Sequence, residues 1–201
     1  MASAQYGRFE YWEERYMHKT EAYDWYNDWD GIKDIVTQHI QPTHKILHAG
    51  CGTSNLPFQM YEEGYQGITN MDISKILIDH MKTSQKDKTM QWDVVDVKKM
   101  EYADRSFDSV IEKGLLDAIL CGDRSSIMAS RMLEQVHRVL KAGGVYIMIT
   151  YASPELRTRY FNPSKWAVRS YQISKPRIPY MIPSIQIEEN ALHHIYVLSK
   201  L

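Results

Sequence analysis

From residue 45 onward, short apolar runs alternate with longer stretches whose apolar residues recur at helical spacing. The runs at 45–49, 67–71, 90–94, 107–111 and 145–151 predict buried strands; 54–63, 74–86 and 125–140 predict the helices between several of them. Ser74 stands where a helix N-cap belongs, and Gly143-Gly144 reads as a helix stop before the fifth strand. Strand and helix in alternation predict a doubly wound, mostly parallel α/β sheet with helices on both faces. Upstream, Phe9, Trp12 and Tyr16 fall on one face of a predicted helix over residues 9–18, followed by a polar–aromatic loop at 23–29. A further helix is expected over 32–40, ending before Pro42. The C-terminal third carries five prolines and predicts a short helix followed by a strand pair, 167–173 and 192–200. With no repeat or linker, residues 1–201 read as one domain: a helical segment over about 1–40 and an α/β core over 45–201.

Within this pattern, the first strand runs straight into Gly50-Cys51-Gly52, and Asp72 closes the second strand about twenty residues later. That combination is how an α/β sheet binds a nucleoside: the glycines admit close backbone approach, and the acidic side chain accepts from ribose hydroxyls. The position a dinucleotide fingerprint reserves for its third glycine holds Asn55, which argues against NAD or FAD; a P-loop sequence is absent. Asp96 and Glu112 follow the third and fourth strands, so Gly50, Asp72, Asp96 and Glu112 should converge beyond the carboxyl ends of the sheet.

Composition narrows the ligand class. Lys plus Arg number 24 against 25 Asp plus Glu, so no overall field favours nucleic acid or an anionic membrane, and neither is expected as a partner. Two cysteines, Cys51 and Cys121, form neither a disulfide framework nor a zinc site. No His-Glu-x-x-His motif is present, and His193 and His194 should face opposite sides of a strand, so no metal is expected. No apolar run approaches the ~18 residues of a membrane span. A soluble, cytoplasmic protein is the expectation.

The chain resembles the class I S-adenosylmethionine-dependent methyltransferases, and within them the eukaryotic methyltransferase-like group that includes translation elongation factor 1-alpha lysine methyltransferases. The resemblance rests on Tyr11-Trp12-Glu13-Glu14-Arg15-Tyr16, Tyr23-Asp24-Trp25-Tyr26, Leu47-His48-Ala49-Gly50-Cys51-Gly52-Thr53-Ser54 and Ile68-Thr69-Asn70-Met71-Asp72-Ile73-Ser74. It continues through Glu112-Lys113-Gly114-Leu115-Leu116-Asp117-Ala118 and Arg157-Thr158-Arg159-Tyr160. Ala49, Thr53 and Leu115 replace the leucine, asparagine and threonine usual in that group.

The resemblance implies a seven-stranded Rossmann-like sheet with an N-terminal helical lid, and S-adenosyl-L-methionine as cofactor. It implies that Gly50 lies against the methionine portion, with Gly52 keeping the turn tight. Asp72 would take the ribose hydroxyls and Ile73 the adenine face; Asp96 would accept from the adenine amino group while the Val97 backbone reads the ring edge. Lys113 would sit beside the cofactor. Trp12, Tyr16 and Trp25 would close over its sulfonium end, since aromatic faces attract cations. From the pattern alone, the same stripe could equally pack the helix onto the core. The expected acceptor is a protein lysine, with elongation factor 1-alpha as the specific partner. Glu112 is expected to orient the amine and Tyr151 to line an aromatic channel. A small-molecule methyltransferase, an inactive cofactor-binding module and a nicotinamide oxidoreductase stand as alternatives.

Overall fold

The structure is a computed structural model, and it describes residues 3–84, 89–176 and 192–201. Seven strands form one sheet: β1 (Ile46–Ala49), β2 (Ile68–Asp72), β3 (Gln91–Val94), β4 (Phe107–Lys113), β5 (Leu140–Thr150), β6 (Trp166–Ser174) and β7 (Leu192–Lys200). Their order across the sheet is β3-β2-β1-β4-β5-β7-β6. The first five are parallel, and β7 runs antiparallel to both β5 and β6. Order reverses between β1 and β4, and a crevice opens at such a switch point beyond the carboxyl ends of the strands.

Seven helices flank the sheet among the described residues: α1 (Phe9–His18), α2 (Lys33–Val36), α3 (Leu56–Glu62), α4 (Lys75–Ser84), α5 (Leu115–Leu120), α6 (Ser125–Val139) and α7 (Pro154–Arg157). Period-two alternation divides the strand side chains between two cores. Ile46, Ile111, Ile147, Ile149, Ile195 and Val197 meet Leu77 and Ile78 of α4 on one face. Leu47, Val110, Tyr146, Met148, Tyr196 and Leu198 meet α6 on the other. There α6 buries Ala129, Met132, Leu133 and Val136, an i, i+3, i+4, i+7 stripe. Because both faces are covered, the central strands read as unbroken apolar runs.

Three local expectations change. The helix expected over 32–40 is only α2, followed by turns: Thr37 Oγ1 donates to the Lys33 carbonyl (2.8 Å), and Gln38 and His39 donate three residues back rather than four. That side chain-to-backbone competition disfavours a longer helix. Gly143-Gly144 is not a helix stop. α6 ends at Val139, β5 begins at Leu140, and the glycines lie where the β4–β5 register jumps from Phe107–Leu140 to Ser109–Val145. The predicted 74–86 helix is present as α4 over Lys75–Ser84, and residues 85–86 lie outside the described residues. Its expected cap forms: Ser74 Oγ accepts from Leu77 N–H at 3.2 Å. Helix α5 has no counterpart in the pattern.

Candidate functional site

Beyond the carboxyl ends of β1, β2, β3 and β4 lies a cavity of about 460 Å³. Pockets of roughly 300–1,000 Å³ are the usual size for small-molecule and cofactor sites. The turn after β1 forms its floor. Gly50 has φ +63°, where any side chain is strained, and a Cβ there would come within 2.8 Å of the Leu115 side chain and push it aside. Asp72, at the end of β2, ties this turn to its own: Oδ2 accepts from Gly52 N–H (3.1 Å) and Oδ1 from Ser74 N–H (3.0 Å). Burial raises its proton affinity, and those backbone donors oppose the rise. Asp96, after β3, accepts through Oδ1 from the Lys98 backbone N–H (3.0 Å) and forms an ion pair through the same oxygen with Lys98 Nζ (3.0 Å). Its Oδ2 makes no hydrogen bond among the described residues.

The N-terminal segment walls the other side. Trp12 and Tyr16 of α1 stack at 5.9 Å and 25°, and both line the cavity with Trp25. Trp12 Nε1 donates to the Tyr6 carbonyl at 2.8 Å, and Tyr6 packs edge-on against Trp25. The loop after α1 is fastened by a buried ion pair. Lys113 Nζ, at the end of β4, contacts Asp24 Oδ1 at 2.5 Å and the Asn27 carbonyl at 2.8 Å. Asp24 also accepts from Ser54 Oγ and from Asn55 N–H. Burial lowers the Lys113 pKa and Asp24 works against that.

Ten of the sequence-derived site residues therefore line one cavity: Trp12, Tyr16, Trp25, Gly50, Gly52, Asp72, Ile73, Asp96, Val97 and Lys113. Tyr151, 56% exposed, stands at its rim. Cys51 in the floor is a buried thiol whose pKa is raised by burial and by Asp72, which suits a small filler rather than a nucleophile.

Glu112 is the correction. It is fully buried and absent from the cavity wall; Oε2 accepts from Leu115 N–H (2.6 Å) and Oε1 from Tyr146 Oη (3.2 Å). Strand alternation is the reason: Glu112 shares the β4 face of Val110, toward Tyr146, and its neighbour Lys113 takes the opposite one. Burial, reinforced by Asp117, pushes the Glu112 carboxyl from 4.5 up to about 8. A raised carboxyl pKa means the folded chain binds the proton more tightly than the unfolded chain. Stability contributed by this group therefore falls as pH rises from about 4.5 through about 8. Glu112→Gln can still accept from Leu115 N–H and can donate to Tyr146 Oη. It is expected to change stability at pH 6 by less than about 1.5 kcal/mol, flatten the decline across that window and leave turnover intact. Thermal melts of both proteins from pH 5 to 9 check this; parallel slopes would refute it.

Further cavity residues carry no role from the sequence, among them Arg15, Tyr23, Tyr26 and Asp117, each in a motif quoted for the resemblance. The Arg15 guanidinium lies 5.7 Å from the Tyr23 ring and 6.0 Å from the Trp25 ring. It makes no ion pair among the described residues. Tyr26 Oη donates to Asp117 Oδ2 at 2.7 Å, and both residues line the wall. Tyr23 borders the same opening. Spacing alone could not expose the Tyr26–Asp117 contact, because its partners stand 91 residues apart in the chain.

Comparison with known proteins agrees with this geometry. A family model described as a methyltransferase domain matches residues 40–195. The chain is 34% identical over 181 residues to the eEF1A lysine and N-terminal methyltransferase of Bos taurus, covering 86% of this chain and 26% of that protein. It thus spans about a quarter of that relative's length. It is 30% identical over 177 residues to the Bos taurus EEF1A lysine methyltransferase 4, covering 82% of this chain and 69% of that one. A SAM-dependent methyltransferase structure from Methanosarcina mazei superposes with a TM-score of 0.62 at 16% identity, over 89% of this chain and 99% of its own. The N-methyltransferase NodS from Bradyrhizobium japonicum, in complex with S-adenosyl-L-homocysteine, gives 0.55 at 12% identity, over 77% and 76%. At those identities the likeness is one of fold. On the family match, and with a seven-stranded sheet of the same architecture, the chain belongs to the methyltransferase-domain family.

Proposed function

We propose that the chain transfers a methyl group from S-adenosylmethionine to a lysine amine of a protein, with elongation factor 1-alpha as acceptor. The observation that carries the reading is the single cavity in which a ribose-type carboxylate, Asp72, and a second carboxylate, Asp96, face an aromatic wall of Trp12, Tyr16 and Trp25. The relatives named for eEF1A lysine methylation support the acceptor.

The residues fit the cofactor chemically. Asp72 would accept from the two ribose hydroxyls, and Asp96 Oδ2 from the adenine amino group, with Ile73 and Val97 on the ring. Arg15 offers a guanidinium to the methionine carboxylate. When bound, S-adenosylmethionine would supply a sulfonium methyl to the acceptor nitrogen, sulfur keeping the electron pair of the broken S–CH₃ bond and nitrogen losing a proton to solvent. The chain's own contribution is positioning and exclusion of water. A lysine amine with its usual pKa of about 10.4 is mostly charged, and burial in the cavity disfavours that charged form by desolvation.

The test is incubation of the purified chain and elongation factor 1-alpha with methyl-labelled S-adenosylmethionine. Label in lysine of the factor is the expected result. Failure to bind the cofactor in calorimetry, or label confined to small molecules, would overturn the reading.

A further inference from the structure

Tyr26 is an aromatic residue in the left-handed region, φ +65°, where a non-glycine side chain is costly to hold. Backbone held this way persists only where the surroundings enforce it, and such positions cluster at working sites. The surroundings here are specific. Gly114 leaves room for the ring, since a Cβ there would lie 3.2 Å from Tyr26 Cε2. His193 packs edge-on at 4.8 Å. The phenol donates to Asp117 Oδ2 at 2.7 Å. Asp117 is itself fixed by Thr150 Oγ1, which contacts both its oxygens at 2.7 and 2.8 Å, and by Arg157 Nη2. Burial, and then Asp117, raise the Tyr26 pKa, so the phenol keeps its proton.

A phenol oxygen has one proton to give and lone pairs to accept with. The phenol donates that proton as a hydrogen bond to Asp117, no group among the described residues donates to the oxygen, and Tyr26 lines the cavity near the exposed Tyr151, ring centroids 6.4 Å apart. We infer that Tyr26 Oη is the hydrogen-bond acceptor for the incoming substrate amine, held in that sense by the buried Asp117–Arg157 pair. The inference rests on the methyl-transfer reading above. The Tyr26 oxygen takes one N–H of the neutral amine and so fixes the direction of the nitrogen lone pair. Asp117, Thr150 and Arg157 are positioning residues: they orient the phenol without touching the amine.

A consequence follows from counting N–H bonds. A neutral primary amine has two and a monomethylamine one, so both can donate to Tyr26. A dimethylamine has none. The first two transfers are assisted and the third is not, so dimethyllysine accumulates.

Tyr26→Phe keeps the ring and removes the oxygen. With saturating S-adenosylmethionine and elongation factor 1-alpha, its kcat is expected to fall about 10- to 100-fold, the scale of misoriented reactants. Calorimetric affinity for S-adenosylmethionine should stay within about twofold, because the oxygen does not hold the cofactor. Mass spectrometry should show the trimethyl-to-dimethyl ratio rising, because only the first two steps slow. Asp117→Asn provides a second variant. Its amide can donate to Tyr26 Oη and turn the phenol proton toward the amine, so kcat should fall similarly. If Tyr26 merely straps the loop, cofactor affinity drops while kcat at saturation and the product ratio match the native chain; that result overturns the inference and leaves the methyltransferase reading standing. A native chain that binds no cofactor or methylates no lysine overturns both.

Discussion

Asp72→Ala is expected to weaken S-adenosylmethionine binding by about 100-fold or more. Each hydrogen bond to a charged group contributes about 1.5–3 kcal/mol. Two ribose hydroxyls at the lower figure give about 3 kcal/mol, and every 1.4 kcal/mol is about tenfold in affinity. The loss is compounded because Asp72 also takes the Gly52 and Ser74 backbone N–H groups, which ties the two turns that form the floor. Asp72→Asn should do nearly as badly: its NH₂ must face one of those two donors, and donor against donor is repulsive. Acidification should act in the same direction. Burial raises the Asp72 pKa, so cofactor affinity should begin to fall above the pH at which an exposed aspartate titrates, near about 3.9. Calorimetry at pH 7.5 with the alanine variant is decisive; affinity within about threefold of native would remove Asp72 from the ribose site.

The features legible in the sequence are those that local chemistry dictates. Unbroken apolar runs marked the central strands because helices cover both faces of the sheet. Gly50, Gly52, Asp72 and Asp96 were readable because a strand end and its turn are adjacent in the chain and their backbone demands are local. Helix α5 was not readable: it is six residues long, mostly apolar, and wedged between the glycine turn and α6, so no polar face gives it a period. Glu112 failed on parity. The sequence located the end of β4, but which of two successive residues faces the crevice depends on the pleat, and a one-residue error exchanges the faces. The N-terminal aromatic stripe resolved into both of its possible uses at once, since Tyr16 is buried in the core and also lines the cavity. The loop carrying Trp25 and Tyr26 is anchored through Lys113 to Asp24, 89 residues apart, and no local pattern encodes that distance.

The Asp117–Arg157 pair gives the largest expected stability effect and separates folding from chemistry. Arg157 is 2% exposed and Asp117 6%. Arg157 Nε and Nη1 are buried without a partner among the described residues, so the guanidinium is desolvated with part of its bonding capacity unused. Such a pair gains little over an apolar replacement, yet breaking it strands a buried charge at a cost of about 3–5 kcal/mol. Arg157→Met should therefore lower Tm by roughly 6–20 °C, at about 2–4 °C per kcal/mol for a chain of this size. Arg157→Met combined with Asp117→Leu removes both charges and should recover most of that loss, a coupling of the kind close neighbours show. If the double variant is as unstable as the sum of the singles, the two charges are not coupled and this account of the pair fails. Turnover should not recover with stability. With Asp117 gone, the Tyr26 phenol has no fixed partner, its proton is free to turn into the cavity, and the acceptor amine meets a donor where it needs an acceptor. A double variant that melts like the native chain and still transfers methyl groups slowly would show that the buried charge pair is retained for the orientation of one hydroxyl rather than for the stability of the fold.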